Sequence, residues 1–254
     1  MLEIHDDRGV RVITFDRPEK LNAMTTAMYQ ACADVLDAAA ADDTIAAVVL
    51  TGRGRAFCAG NDLDELAATA AAAPGDPGPA AQGAAFDAFL EALGTCPKAL
   101  LAAVNGVGVG IGMTLLPYCD IAVMAESARL RVPFVPLGVT TEAASSVTLP
   151  TVMGWQRAAR VLLTGAWIDA AEAVSLGLAL EVVPDDEVVS HTLALGQEIA
   201  AAGPLASIMA TKRLLIASRQ DMIAAARARE NDEFAALFAA QTVQAARTVP
   251  TDQT

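Results

Sequence analysis

The chain has 254 residues, of which 54% are hydrophobic. It is therefore long enough to form the core of one large α/β domain or of two smaller ones. Its 30 acidic and 17 basic side chains leave a formal net charge of −13, which disfavours nucleic acid and anionic membranes as partners. The first residues do not resemble a secretory signal, and no uninterrupted apolar run reaches the roughly 18 residues that span a bilayer. We therefore expect a cytoplasmic protein without a membrane segment.

Strands and helices are predicted to alternate along the first half of the chain. Residues 10–15 form the first expected strand, and residues 25–41 carry apolar side chains at helical spacing. Three short apolar runs, at residues 45–50, 99–104 and 121–125, are typical of strands that are buried on both faces. This alternation favours an α/β fold with a largely parallel sheet.

A segment rich in proline and glycine interrupts this pattern at residues 67–85. Its centre cannot continue a helix, so we predict a mobile loop there. Such a loop either covers a ligand or is a tolerated surface insertion, and the sequence leaves both interpretations open.

From Asp169 onward the sequence predicts mainly helices. Asp169 and Glu172 have the spacing of a helix-capping pair, and one strand is expected at residues 180–183. A helical region of this size must bury its apolar stripe on its own core or on another subunit. The sequence leaves both alternatives open. The expected helices of that region lie near residues 186–201, 205–218 and 220–247.

Metal ions and redox cofactors are not expected. The cysteines are widely spaced and include no C-x-x-C pair, so neither a zinc site nor a disulfide framework is predicted. The glycines from Gly106 to Gly112 alternate, and so they do not form the G-x-G-x-x-G fingerprint of dinucleotide-binding folds. No phosphate-binding G-x-x-x-x-G-K-[S/T] motif occurs either.

Two glycine-containing loops and one acidic residue point to catalysis instead. Glycines at residues 57–63 and 105–112 let backbone N–H groups approach a ligand closely. Glu142 follows an apolar, proline-punctuated stretch at the expected start of a helix. One base facing two amides is the minimum equipment for moving a proton beside a carbonyl. The simpler alternatives are tight turns for the loops and a surface acid at a helix start for Glu142.

These segments resemble the crotonase superfamily, the enoyl-CoA hydratases and isomerases. Residues 57–63 and 105–120 resemble its two signature loops, residues 16–23 its N-terminal R-P-x-x-x-N-A element, and residues 165–178 a downstream helix. The resemblance implies a core of repeated ββα units that holds the active site, expected at residues 1–190. It also implies a C-terminal helical oligomerisation region at residues 191–254, used in trimer contacts and often arranged within a hexamer. It also implies an acyl-CoA thioester substrate and no separate cofactor, because CoA is part of that substrate.

The resemblance also implies roles for particular residues. The backbone N–H groups of Asn61 and Ile111 would form an oxyanion hole, in which a well-placed donor is worth about 3–4 kcal/mol. Lys212 and Arg213 either reach the CoA phosphates or lie on a solvated helix face. Asp62 is favoured as a structural residue of the first loop, although it also lies along the ligand path. The residues implied in substrate or CoA binding are Lys20, Leu21, Ala59, Gly60, Asp62, Leu63, Gly110 and Phe134.

The carboxylates suggest which subfamily the chain resembles. Hydratases of the superfamily use two glutamates, and the matching positions here are Thr114 and Phe134, so water addition by the usual mechanism is not expected. The sequence around Glu142 resembles the peroxisomal-type Δ3,Δ2-enoyl-CoA isomerases. This implies that Glu142 carries a proton from C2 to C4 of a 3-enoyl-CoA during oxidation of unsaturated fatty acids. The alternatives are a hydratase or other lyase with atypical residues, and a catalytically silent acyl-CoA-binding protein.

Overall fold

The computed structural model describes residues 1–73 and 75–247, with side chains as far as residue 237. The strands in chain order are β1 (Leu2–Asp7), β2 (Val10–Phe15), β3 (Ala47–Gly52), β4 (Ala56–Cys58), β5 (Ala99–Val104), β6 (Val107–Val109), β7 (Ile121–Ala125), β8 (Arg129–Arg131), β9 (Ile168–Asp169) and β10 (Glu181–Val183). The α-helices are α1 (Thr26–Ala41), α2 (Leu63–Ala70), α3 (Pro77–Thr95), α4 (Ile111–Thr114), α5 (Ser145–Met153), α6 (Trp155–Thr164), α7 (Ala170–Ser175), α8 (Val188–Ala201), α9 (Leu205–Ala217) and α10 (Gln220–Arg247). Short 3-10 helices cover Pro18–Lys20, Leu116–Tyr118 and Val135–Leu137.

The strands form two sheets that are built from a repeated unit. The larger sheet has the order β1-β2-β3-β5-β7-β10 and the smaller one the order β4-β6-β8-β9. The pairs β3–β4, β5–β6 and β7–β8 each place their first strand in the larger sheet and their second in the smaller sheet. Helices α2 and α4 follow the first two pairs, which confirms the expected α/β fold with repeated ββα units.

Parallel pairing dominates the larger sheet. Only β1 is antiparallel to its neighbour, while β2, β3, β5, β7 and β10 run parallel. Every residue of β3 and of β5 is buried, as expected for apolar strands covered on both faces. The predicted strands at residues 99–104 and 121–125 coincide with β5 and β7. Strand β1 was not predicted, because its polar residues leave no clear apolar alternation.

The segment at residues 67–85 differs from the predicted loop. Helix α2 continues to Ala70, and α3 begins at Pro77, so most of the segment is helical. Asp76 caps α3 by accepting a hydrogen bond from the N–H of Gly78 at 2.8 Å. Proline is favourable in the first turn of a helix, where its missing N–H has no intrahelical acceptor to lose. The proline-rich centre therefore starts a helix as well as ending one.

The C-terminal helices occupy the predicted ranges closely, and α8 packs on the larger sheet. A Cβ atom at Gly196 of α8 would lie 3.2 Å from the methyl groups of Val10 on β2. The predicted boundary after residue 190 thus falls inside a helix that belongs to the core packing. Oligomerisation through the remaining helices stays a prediction. In the described part of the chain, no single helix has both the length and the apolar character to cross a membrane. Helices α8 and α9 reach that length and character only when they are taken together, and a bend of 110° separates them.

Candidate active site

The two glycine-containing loops meet at one edge of the smaller sheet. Strands β4 and β6 pair in parallel, so the loops that follow them emerge at the same edge. Gly60 has a φ of +99°, and a Cβ atom there would lie 3.2 Å from the carbonyl oxygen of Val109. Gly110 has a φ of +55°, and a Cβ atom there would lie 3.8 Å from the Cα of Gly60. Glycine at these positions allows the two backbones to approach each other.

The backbone N–H groups of Asn61 and Ile111 are available at this meeting point. Met24 donates to the carbonyl of Gly60 at 2.8 Å and accepts from the N–H of Asp62 at 2.9 Å, which leaves the N–H of Asn61 without a backbone partner among the described residues. Ile111 is the first residue of α4, and its N–H likewise has no backbone acceptor in that part of the chain. Two such donors can stabilise a negatively charged oxygen.

Asp62 holds the first loop in place. The residue is 3% exposed; its carboxylate forms an ion pair with Arg17 and accepts hydrogen bonds from the N–H groups of Asp64 and Glu65, both at 3.0 Å. Burial by itself would raise the pKa of Asp62, but the hydrogen bond from Arg17 and those from the helix amides outweigh it and lower that pKa. These contacts occupy the carboxylate and agree with the structural role, while its contact with a ligand stays a prediction.

Tyr29 on α1 joins the site, although no motif of the sequence indicated it. Its hydroxyl donates a hydrogen bond to Oδ1 of Asn61. The ring is 2% exposed and packs against Phe86 and Phe89, with centroid distances of 5.3 and 5.5 Å. Burial, and secondarily the charge of Glu142, raise the pKa of Tyr29 well above its ordinary value. Tyr29 is therefore a neutral donor that orients the side chain of Asn61.

Glu142 is half-buried in the turn that leads into α5. The helix begins three residues later than predicted, at Ser145, because Ala143 and Ala144 adopt left-handed conformations with φ of 58° and 57°. Burial, and secondarily the nearby charge of Glu230, raise the pKa of Glu142 to about 7. Glu142 in turn adds to the effect of burial in raising the pKa of Cys58 to about 12. Because Glu142 raises the pKa of Tyr29, which is hydrogen-bonded to Asn61, and that of Cys58 at the end of β4, it lies on the side of the first loop.

The two positions that match the hydratase glutamates carry no ionisable group. Thr114 at the end of α4 is fully buried, and its hydroxyl has no hydrogen-bond partner among the described residues. Phe134 is also buried and belongs to the apolar core. A threonine hydroxyl and a phenyl ring cannot act as a general base at neutral pH. Glu142 is thus the carboxylate with a pKa suited to proton transfer near these loops.

Other predicted ligand contacts lie around the first loop. The N–H of Ala59 donates to the carbonyl of Leu21 at 3.0 Å, so the N-terminal element is attached directly to the loop. Lys20 is exposed and pairs with Asp64 at 2.9 Å, and Leu63 is exposed at the start of α2. Lys20 and Leu63 are thus accessible to solvent, whereas Leu21 and Ala59 are half-buried. No group of three or more potential metal ligands (His, Cys, Asp or Glu) occurs within the described ranges.

Lys212 and Arg213 have different surroundings. Lys212 is 4% exposed, and its Nζ lies 2.6 Å from both carboxylate oxygens of Asp120. Asp120 also accepts a hydrogen bond from the N–H of Leu100 at 2.7 Å, so the pair connects α9 to the larger sheet. This buried pairing favours a structural role for Lys212, and its contact with a CoA phosphate stays a prediction. Arg213 is exposed, in agreement with the solvated helix face.

Comparison with known proteins identifies related sequences over nearly the whole chain. The family model described as enoyl-CoA hydratase/isomerase matches residues 5–249. The Escherichia coli 2,3-dehydroadipyl-CoA hydratase is 34% identical over 240 residues, covering 94% of this chain and 91% of that protein. The Rattus norvegicus enoyl-CoA delta isomerase 2 is 39% identical over 183 residues, covering 72% of this chain and 46% of that protein.

Solved structures show the same fold. The crystal structure of an enoyl-CoA hydratase/isomerase from Pseudoalteromonas atlantica is 36% identical to this chain, with a TM-score of 0.85 and coverage of 94% of this chain and 91% of the other. An enoyl-CoA hydratase from Mycobacterium marinum is 41% identical, with a TM-score of 0.76 and coverage of 85% and 98%. Named relatives thus include both hydratases and isomerases, and the residues of the site must separate these two activities.

Proposed function

This chain belongs to the enoyl-CoA hydratase/isomerase family, and we propose that it converts 3-enoyl-CoA into 2-trans-enoyl-CoA with Glu142 as its acid–base residue. The observation that carries the proposal is the half-buried Glu142, with a pKa of about 7, beside the first glycine-containing loop, which holds Asn61. Threonine and phenylalanine occupy the two hydratase positions, which supports proton transfer over water addition. The 39% identity with the rat enoyl-CoA delta isomerase 2 points in the same direction.

In the proposed mechanism, the thioester oxygen lies between the N–H groups of Asn61 and Ile111. Glu142 removes a proton from C2, and the electrons of that C–H bond delocalise to give a dienolate with its negative charge on the thioester oxygen. The two amides stabilise this charge. Protonated Glu142 then delivers the proton to C4, so the double bond moves from C3–C4 to C2–C3. No water or redox partner takes part, and the carboxylate returns to its starting state.

The raised pKa of Glu142 suits this cycle. A carboxylate with a pKa of about 7 is a stronger base than an exposed glutamate, and its conjugate acid is still able to return the proton. The half-buried position also limits water, which would otherwise compete for the dienolate. Ala59, Gly60, Leu63, Gly110 and Phe134, with Lys20 and Leu21, remain the proposed substrate contacts. The proposed protein is a cytoplasmic homotrimer or hexamer that acts in fatty acid oxidation.

Side-by-side assays with 3-hexenoyl-CoA and crotonyl-CoA test this proposal. We expect wild type to isomerise the first substrate, and we expect Glu142→Gln to lower kcat by about 10²–10⁴-fold, because a general base has been removed. Glu126→Gln is the matched control, since Glu126 is exposed. Isomerisation that survives in Glu142→Gln contradicts the proposal.

Hydration is the second candidate, because the E. coli 2,3-dehydroadipyl-CoA hydratase matches 94% of the chain. Hydration of crotonyl-CoA by wild type and by Glu142→Gln, without isomerisation of 3-hexenoyl-CoA, supports that candidate. Tight CoA binding with neither reaction identifies a catalytically silent acyl-CoA-binding protein.

A further inference from the structure

Glu230 on α10 is buried without a cation. The residue is 5% exposed, and among the side chains that the structure describes no lysine or arginine forms an ion pair with it. Arg227, one turn earlier on the same helix, pairs with Asp87 at 2.8 Å instead. A buried carboxylate without a cation is unfavourable unless other donors satisfy it. The groups that donate hydrogen bonds to the Glu230 carboxylate therefore indicate the role of this residue.

Those donors lie on both sides of Glu142. Glu230 accepts hydrogen bonds from the N–H of Ala144 at 2.7 Å, the N–H of Ser146 at 2.8 Å and the hydroxyl of Thr141 at 3.4 Å. Ala144 is at the N-cap position of α5 and has no side chain able to cap the helix. By accepting from the N–H of Ser146, Glu230 supplies from 84 residues away the acceptor that an N-cap serine or aspartate would supply locally. Its charge also complements the positive end of α5.

The turn that Glu230 contacts is conformationally strained. Ala143 and Ala144 both have left-handed backbone angles, with φ of 58° and 57°, which residues with a Cβ atom rarely adopt in succession. Such conformations persist only where surrounding contacts hold them. The hydroxyl of Tyr118 donates to the carbonyl of Ala143 at 3.0 Å, so the turn is held at that point as well.

We propose that Glu230 is a positioning residue, through which α10 holds the turn at residues 141–146 so that Glu142 faces the two glycine-containing loops. This inference rests on the proposed function of Glu142. The hydrogen bonds to Ala144 and Ser146 fix the backbone immediately after Glu142, and the contact with Thr141 fixes the residue before it. Loss of these contacts releases the left-handed turn and moves the base away from the substrate carbons.

Glu230 also acts on Glu142 through its charge. After burial, Glu230 is the second cause of the raised pKa of Glu142. Glu142 also interacts with Tyr29 from α1 and Cys58 from β4, both of which are neutral because their own pKa values are raised. Glu230 itself interacts electrostatically with Tyr118, and Tyr118 also interacts with Arg219, Arg227 and Glu91. Removing the charge of Glu230 therefore lowers the pKa of Glu142, whereas burial still keeps that pKa raised.

Three variants separate the geometric effect from the electrostatic one. Glu230→Gln keeps the size but removes the charge, Glu230→Asp keeps the charge but shortens the reach, and Glu233→Gln is a control at an exposed position of the same helix. For each, hydrogen exchange measures the protection of the Ala144 and Ser146 amides. The pH dependence of kcat/KM is measured with 3-hexenoyl-CoA. If Glu230→Gln does not fold, Glu230→Asp carries the test.

We expect loss of protection at Ala144 and Ser146 in both Glu230 variants. We expect kcat to fall by about 10- to 100-fold, with little change in KM, because a base displaced by about 1 Å loses that much rate. The acidic limb of the pH profile moves to lower pH in Glu230→Gln and stays in place in Glu230→Asp. Glu233→Gln behaves as wild type. Unchanged amide protection, or an unchanged kcat in both Glu230 variants, overturns the inference.

Failure of the proposed function gives a different result. If wild type does not isomerise 3-hexenoyl-CoA, the proposed function is wrong, while the exchange measurement still tests whether Glu230 holds the turn.

Discussion

The hydroxyl of Tyr29 donates a hydrogen bond to the side-chain oxygen of Asn61, whose backbone N–H is one of the two donors at the loop junction. We expect Tyr29→Phe to lower kcat/KM for isomerisation about 3- to 10-fold, because one buried hydrogen bond is worth about 0.5–1.5 kcal/mol. Steady-state assays with 3-hexenoyl-CoA measure this change. Unaltered kinetics would show that the orientation of Asn61 does not depend on Tyr29.

The activity should depend on the ionisation of Glu142. Because the base must be deprotonated to accept the C2 proton, kcat/KM is expected to fall below a pH of about 7, tenfold for each pH unit. A profile of 3-hexenoyl-CoA isomerisation between pH 5 and 9 measures the midpoint. A midpoint near the ordinary glutamate pKa of 4.5 would contradict the buried environment described for this residue.

The same pKa makes a prediction about stability. The folded state favours neutral Glu142. The resulting contribution to the free energy of unfolding is present below the unfolded pKa near 4.5 and is lost as the pH rises through about 7. Glu142→Gln has no charge to bury. At pH 8 we expect it to raise the free energy of unfolding by roughly 1–3 kcal/mol over wild type, from the size of the pKa change. Urea denaturation at pH 4.5 and pH 8 measures the difference, which should be much smaller at the lower pH.

Two ion pairs beside the first loop should differ greatly in their effect on stability. Asp62 is buried against Arg17, and Asp62→Ala leaves that cation unpaired, so we expect a loss of about 3–5 kcal/mol in the free energy of unfolding. Lys20→Ala removes an exposed partner of Asp64 and should leave stability almost unchanged. Thermal and urea denaturation compare the two variants. Equal effects would argue against the structural role assigned to Asp62.

Adjacent residues on α9 allow a similar comparison. Lys212→Ala leaves Asp120 without its buried partner, so we expect roughly 3 kcal/mol of destabilisation. Arg213→Ala should be almost neutral, because Arg213 is exposed. The two variants are compared by denaturation and by the KM for an acyl-CoA substrate. A raised KM without a change in stability in Lys212→Ala would restore the phosphate-binding interpretation.

Local patterns in the sequence were sufficient for much of the architecture. The apolar runs of β5 and β7 are continuous because both faces are buried, and helix α1 is marked by its apolar spacing and its Thr25 cap. The edge strand β1 and the start of α3 escaped prediction. In β1 the polar residues hide the pattern, and in α3 the same prolines that disrupt a helix also begin one.

The motifs of the sequence by themselves determined the family, the two glycine loops and the candidate base Glu142. They did so because the motifs that carry the resemblance consist of residues that are close together in the chain. Only the tertiary structure decided that Lys212 neutralises Asp120, that Tyr29 orients Asn61, and that Glu230 holds the turn around Glu142. The physical reason is that burial and charge depend on groups far apart in sequence, and folding alone brings a residue of α10 to within 2.7 Å of an amide 86 positions earlier.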